Sequence, residues 1–545
     1  MIRPPLRLAL ALATVSLAAA QNPTPAPLHA GSAMAGPVFN QDSTQFFFER
    51  SADEISARQV SDYIDQLADS GVRTFVSNVN AQRANYASRV WETDWTGYDP
   101  KGPDDQPILR HLAPAAVAPT RRRLDSAKRL ADLDVNFHQV ALARCRARGL
   151  GAWVSVRMND MHDCMLEDSP LLSTFYKSQR AANQLRAPHR GPSWSDRELN
   201  WEQPEVHEHY FKLVMEQLDT LDLDGLELDW MRFPYHFRPG HELTGGRIIT
   251  DWMWRVRKEC DRAALRLGHP VHLGVRVPSL PETARRCGLD AAAWAHAGLV
   301  DVVVATPFWA TADLDMPMLE WKRLLAGTKA QLAGGLEIRY QPVPDGPATT
   351  MTAELATGGA LTILQQGADL VYLFNYMPER PDASGKIWES TLMRSWGGPA
   401  RFRDVIRSMQ SVAALDRLPR VHAITYRDIR APGEAQDNTL PATDHRGQDM
   451  PWPPGCALRL PTGPKPVGRA VSLNLEFSAA TASPEKLHVY VNGTECAHPT
   501  LASGRVLSYA VPNAILEDEA QVIEVIGREN QTFAIVRLEI AIAAK

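Results

Sequence analysis

Glu227 and Asp229 stand two residues apart in the run DGLELDWMRFPY, residues 224–235. If that run is a β-strand, side chains alternate along it. The two carboxyl groups then share one face, while Leu226, Leu228 and Trp230 share the other. A strand that buries two acids is unstable unless the acids are paired or used. A second pair of the same spacing, Glu337 and Arg339, lies in GGLEIRYQ. Two carboxyl groups facing one another across a cleft can cleave a glycosidic bond: one protonates the leaving oxygen and the other acts as nucleophile or base. In that chemistry Asp229 is the expected general acid/base and Glu337 the nucleophile, with Glu227 as the third candidate. Glu227 reads equally well as a buried partner of Arg157 or Arg276.

The surrounding residues suit a polyhydroxylated ligand. VSVRMNDMH supplies Ser155, Arg157, Asn159, Asp160 and His162. Arg232 follows Asp229, and Arg276, Asn375, Tyr376 and Trp309 end other apolar runs. Asn40 and Asp42 end the first of these runs. The expected substrate-binding residues are Arg157, Asn159, Asp160, His162, Arg232, Arg276, Arg339, Asn375, Tyr376 and Trp309; Ser155, Asn40 and Asp42 line the same mouth. The arginines could hold the acids ionised or bind an anionic group on a sugar. His162, between Asp160 and Asp163, reads as a ligand-positioning or loop-capping residue. No spacing there argues for a metal, and no Cys-x-x-Cys pair or His/Cys cluster suggests zinc. Neither metal nor other cofactor is expected.

These side chains need a frame that brings distant runs together. Eight apolar, β-branched runs of strand length recur at residues 36–42, 73–79, 152–158, 225–230, 271–277, 301–306, 333–338 and 369–375, with helical patterns between them. Ser51 with Glu54 forms a capping box before the first helix, and Gly71 ends that helix. Pro204 suits the first turn of the helix leading to the fourth strand. Gly367 ends the helix before the eighth strand. The alternation predicts an α/β fold, a (β/α)8 TIM barrel over residues 36–415. Two long segments, 80–120 and 161–203, follow strands and so lie on the face where barrel active sites are built. They carry Trp91, Trp95, Tyr98, Trp194 and Trp201, expected to stack on sugar rings. His207 and His209 are expected at the surface, whereas His236 and His241 could reach the cleft.

From about residue 416 helical periodicity stops, and Pro, Gly and Thr punctuate short strands such as 487–491, 507–511 and 520–526. That predicts a small C-terminal β-sandwich over residues 416–545, more a cover for the barrel than a sugar-binding module. Asn492-Gly493 reads as a hairpin turn. Asn492 and Asn530 each begin a glycosylation sequon in form.

The N-terminus reads as an export signal over residues 1–20. Arg3 and Arg7 precede an apolar run too short to span a bilayer, and Ala18-Ala19-Ala20 suits cleavage before Gln21. Residues 21–35 form a Pro/Ala-rich linker. No cysteine follows the cleavage point to carry a lipid anchor, and no other run is long and apolar enough for a membrane helix. An exported, periplasmic or extracellular protein is expected. The 545-residue chain has a formal charge of −5 and no basic block, which argues against nucleic acid as a partner. Six cysteines allow fifteen full pairings. Cys456 with Cys496 is the expected bond, since both lie in the C-terminal region.

DGLELDWMRFP resembles the fourth-strand signature of bacterial glycosyl-hydrolase-like barrel families, exported proteins related to clan-A glycosidases and to chitinase-like barrels. The resemblance spans about residues 36–415. It implies an acid/base near the end of strand four and a glutamate nucleophile at the end of strand seven, where Glu337 stands. The Asn-Glu pair of clan A is absent from strand four. Against the chitinase motif, Asp224, Glu227, Asp229 and Trp230 fit, but Met231 occupies the catalytic glutamate position, so substrate-assisted chemistry is not implied. The expectation is an exported glycoside hydrolase acting on a polysaccharide or oligosaccharide, with a retaining mechanism. The alternatives are a carbohydrate-binding barrel without catalysis and a metal-dependent barrel hydrolase.

Overall fold

The computed structural model describes residues 33–545 except 43, 49, 168, 170, 191–192, 309–313, 345, 377–394, 436–438, 444–454, 480–485, 497 and 528–532. The expected signal peptide, most of the linker, Trp309 and the sequon at Asn530 lie outside the described residues.

Eight strands, Val38–Asp42, Thr74–Asn78, Gly151–Arg157, Gly225–Asp229, His272–Pro278, Val302–Thr306, Gln331–Glu337 and Leu370–Phe374, close into one barrel. Each pairs in parallel with its neighbours in sequence, and the eighth pairs with the first. Every expected strand is present, with ends shifted by no more than two residues. Alternation divides the side chains between two cores. Val38, Val76, Trp153, Val302, Val304, Ala333, Leu370, Tyr372 and Phe374 fill the barrel interior. Leu226, Leu228 and Trp230 face the surrounding helices in the larger core.

Trp153 fills the lower barrel because its neighbours have no side chain. A Cβ on Gly225 would lie 2.4 Å from the indole. The upper barrel, where the acids sit, holds mostly polar groups, with Phe374 level with Glu337.

Helix ends follow local chemistry with one correction. Ser51 and Glu54 do bond to each other, but in a turn that precedes the helix. The cap of Ala57–Asp69 is Ser56, whose hydroxyl accepts from the Gln59 amide. Gly71 follows this helix with φ of 96°, Pro204 opens Pro204–Thr220, and Gly367 follows Ala353–Gln365 with φ of 94°.

The C-terminal region folds as two antiparallel sheets. One contains Arg420–Ala423, Val471–Phe477, Val506–Ala510 and Ala534–Ile542; the other contains Gly455–Gly463, Leu487–Val491 and Glu519–Gly527. Leu473, Leu475, Leu538 and Ile540 of the first share a core with Leu458, Val489, Ile523 and Val525 of the second. Asn492 and Gly493 both have positive φ and turn the expected hairpin.

The two regions meet at helix Ala353–Gln365. Apolar around most of its circumference, it must be covered on both sides. One side packs on barrel strands, and the other on Arg420–Ala423 and Gly455–Gly463. Gly358 permits this approach, since a Cβ there would lie 2.1 Å from the Val421 carbonyl oxygen.

The Cys456–Cys496 bond is not formed, and all six cysteines are buried thiols. Cys456 pairs with Val525, whereas the Cys496 amide bonds to Val489 on the far side of that strand. Three strand spacings, about 14 Å, separate their positions, beyond the reach of a disulfide.

Candidate active site

The fourth strand places Glu227 and Asp229 inside the barrel, one above the other, both buried. Their environments differ. One Asp229 oxygen lies 2.5 Å from Arg276 Nη1, and the other accepts the Met231 and Arg232 amides at 3.1 and 2.9 Å. Every partner is a donor, so Asp229 acts only as an acceptor, the role of an ionised carboxylate. Glu227 accepts the Tyr372 hydroxyl at 2.8 Å and the Asn40 amide at 3.4 Å. Burial pushes its pKa up to about 7; Arg276 opposes that push and the Asp229 charge adds to it. Arg157, the other partner considered for Glu227, binds elsewhere.

Arg157, from the third strand, is buried between Asp42 at 3.0 Å and Asp160 at 3.2 Å. Asp160 also accepts His162 Nδ1–H at 2.7 Å. His162 Nε2 faces Arg232 Nη2 at 3.1 Å. The guanidinium can only donate, so Nε2 accepts and the proton sits on Nδ1. Burial works against the Asp160 charge, yet His162 and Arg157 hold its carboxyl well below the ordinary range. A polar chain therefore runs from strand one through the loop after strand three to Arg232. Phe233, Phe308 and Phe374 surround the Arg232 guanidinium at 5.3 to 5.9 Å. Burial lowers its pKa to about 10. Phe233 has φ of 66°, a left-handed conformation uncommon for a bulky residue and frequent near functional sites.

Glu337 ends the seventh strand and is buried. Oε2 accepts the Ile338 amide at 3.2 Å, while Oε1 has no hydrogen-bond partner among the described residues. Burial pushes its pKa up to about 8 against the pull of Arg232 and Arg276. Tyr376 lies within electrostatic range of Glu337, and its hydroxyl likewise has no partner among the described residues. Asn375 stands beside it with φ of 54°. The barrel thus brings together Glu227, Asp229, Arg157, Asp160, His162, Arg232, Arg276, Glu337 and Tyr376.

Other expected residues lie elsewhere. Asn159 is a buried staple: its amide group bonds to the Leu199 backbone on both sides and to the Tyr235 carbonyl. Arg339 does not share a barrel face with Glu337, because the seventh strand stops at Glu337 and Arg339 pairs instead with Thr350. The loop aromatics mostly pack. Trp91 stacks on His209, Tyr98 bonds to Asp125, Trp95 is partly buried against the core, and Trp201 is buried against Trp230 and Trp252. Only Trp194 reaches the aromatic rim, stacked on Phe308 at 5.0 Å. His209 is held between Trp91 and Phe175 instead of lying free at the surface, and burial lowers its pKa to about 3. His236 is buried against Trp230 and Asn159, away from the cleft. His241 pairs with Glu202 outside it.

Two contributors escaped the sequence analysis. Tyr372 was legible, since alternation back from Phe374 turns it inward. The segment 424–434 was not. It leaves the first sandwich strand and crosses the loops after strands four, five and six. Arg430 accepts the Tyr235 hydroxyl at 2.7 Å, Glu434 accepts Thr283 at 3.0 Å, and Asp428 accepts the Phe308 amide at 3.1 Å. Asp428 comes close enough to raise the Glu337 pKa further.

Among the described residues no group of three or more His, Cys, Asp or Glu side chains is arranged to hold a metal ion. No helix among them is long and apolar enough to cross a membrane.

No protein-family model matches the chain, and no curated protein matches it. Solved structures similar to it include a cell-surface-expressed multi-modular chitinase from Paenibacillus sp. str. FPU-7, at 10% identity and a TM-score of 0.37. That match covers 90% of this chain, which spans about half, 52%, of the chitinase chain. An α-L-fucosidase from Paenibacillus thiaminolyticus matches at 12% identity and a TM-score of 0.34, over 92% of this chain and 98% of its own. The Thermotoga maritima α-fucosidase matches at 12% identity and 0.33, over 89% and 82%.

Proposed function

We propose that the chain is a glycoside hydrolase that cleaves an oligosaccharide or polysaccharide with Glu337 and Asp229. One observation carries this reading. Two carboxyl groups on strands four and seven of a parallel barrel differ in their surroundings: Asp229 is held by donors only, while Glu337 is buried with one oxygen unpartnered and its pKa near 8. A carboxyl group held protonated by burial, facing one bound only by donors, can divide the acid and base roles.

The division favoured is the reverse of the one expected from the chain. Glu337 carries the proton and gives it to the leaving glycosidic oxygen as the bond to the anomeric carbon breaks. Asp229 keeps its charge and stabilises the developing oxocarbenium ion, as nucleophile or as base toward water. Arg276 holds Asp229 in place. Arg232, Tyr376 and Trp194 would contact the sugar. Export through the first 20 residues belongs to the same proposal; a mature chain beginning at Gln21, read by mass spectrometry, would bear it out.

The test is a reducing-end release screen against a broad polysaccharide and aryl-glycoside panel, with Glu337→Gln, Asp229→Asn and Glu227→Gln beside the parent. Release that vanishes in the first two supports the assignment. Full release by both variants, properly folded, sinks it. The burial of all three acids favours a second reading, a carbohydrate-binding barrel without catalysis. Saturable binding with no release over long incubation would select it.

A further inference from the structure

Away from the barrel mouth, a cavity of about 420 Å³ opens between the loop after strand two and the loop after strand three. Arg83, Arg110, His111, Lys177 and Arg180 line it, with Glu167 as the acid among the described lining residues. Arg83 forms a fixed part of it. Its guanidinium is buried, bonded to the Thr96 and Leu172 carbonyls at 3.1 and 3.4 Å, and its Nε has no partner among the described residues. Arg180 bonds to the Glu167 carbonyl at 3.0 Å, leaving Nη1 buried and unpartnered among the described residues. Lys177 and Arg180 lie three apart on helix Thr174–Ala181, hence on one face. Lys177, Arg180 and Arg110 make no ion pair among the described residues.

Clustered cations without matching acids repel one another, and burial already works against the Arg83 charge. Glu92, at 3.7 Å, offsets only part of this. An anion in the cavity would relieve both costs through charge-assisted hydrogen bonds, for which guanidinium groups are shaped. Pro107 and Ile108 add an apolar part to the lining, which suits the face of a sugar ring. The cavity is compact, and the formal charge of −5 with no basic stripe does not suit a nucleic acid.

We propose that this cavity is a subsite for an anionic substituent, a sulfate ester or a uronate carboxylate, on a polysaccharide bound across the loop face of the barrel. That the polysaccharide is also the substrate rests on the function proposed above. The subsite itself can be tested without turnover.

The full-length mature protein and its Lys177→Ala/Arg180→Ala variant would be titrated by calorimetry with dextran sulfate, polygalacturonate and neutral dextran. One or both anionic polymers should bind more tightly than dextran, and which one does separates sulfate from carboxylate recognition. The variant should bind that polymer about tenfold or more weakly, with an unchanged unfolding midpoint. Lys177→Glu/Arg180→Glu should abolish the binding. The proposal is overturned if neither anionic polymer outbinds dextran, or if the variants bind like the parent. Hydrolysis of neutral substrates is read separately with Glu337→Gln, so loss of one idea leaves the other standing.

Discussion

Asp229 and Arg276 meet at 2.5 Å inside the barrel, from adjacent strands and with both side chains fully buried. Their register places them directly opposite each other on strands four and five. Arg276 also stands 3.6 Å over the Phe374 ring and acts on Glu227 and Glu337. It therefore links all three acids.

Removing Arg276 should leave a buried carboxylate without its counter-ion. Arg276→Met is expected to destabilise the protein by about 3–5 kcal/mol. Asp229→Asn with Arg276→Met should recover much of that loss, because no charge is then stranded. Urea unfolding of the three variants measures this. Equal stability of the parent and Arg276→Met would show that the pair contributes nothing.

Glu337→Gln keeps the shape and removes the proton. If Glu337 is the general acid, kcat should fall by about 10²–10⁴ while the fold persists. The parent's kcat/KM should decline above about pH 8, as Glu337 loses its proton. That limb should be absent from any residual activity of the variant. An unchanged limb would assign the titration to another group.

The same group makes stability depend on pH. The folded pKa of Glu337, about 8, lies above its ordinary 4.5, and that of Glu227, about 7, does too. The folded state therefore binds protons that the unfolded state has released. Their contribution is fully present below about pH 4.5 and is lost as pH rises toward 7 for Glu227 and 8 for Glu337. Between pH 5 and 7 each group should impose a slope of at most about 1.4 kcal/mol per pH unit. Glu337→Gln and Glu227→Gln should each flatten the curve relative to the parent. Parallel curves for parent and variants would refute the assignment.

Gly358 should tolerate no side chain. A Cβ would meet the Val421 oxygen at 2.1 Å, so Gly358→Ala must push the sandwich strand away from helix Ala353–Gln365. A loss of about 1–3 kcal/mol is expected. Calorimetry would show either a lowered midpoint or separation of the transition into two. An unaltered single transition would mean that this contact can relax freely.

Much of the frame was legible in the chain because period-two and helical patterns are local. Each barrel strand shows its apolar run, and Gly71, Pro204 and Gly367 mark helix ends through their own backbone restrictions. Alternation alone put Glu227 and Asp229 on the inner face. It failed for Arg339, since it holds only while the strand continues, and the strand stops at Glu337. Apart from Trp194, the aromatic residues of the long loops pack into the fold instead of forming ligand platforms. Trp91 and Trp201 carry large apolar surfaces, and burying them against His209, Trp230 and Trp252 holds those loops in place.

By itself, then, the sequence determined the barrel, the antiparallel region after it, and the inward aim of the strand-four acids, because these follow from spacing along one segment. The tertiary structure decided how the charges divide among the acids. Arg276 comes from strand five, Tyr372 from strand eight, Arg232 from a loop, and Asp428 from a segment returning from the sandwich. Ionisation depends on burial and on which charges converge in space, and neither is encoded by neighbours in the chain.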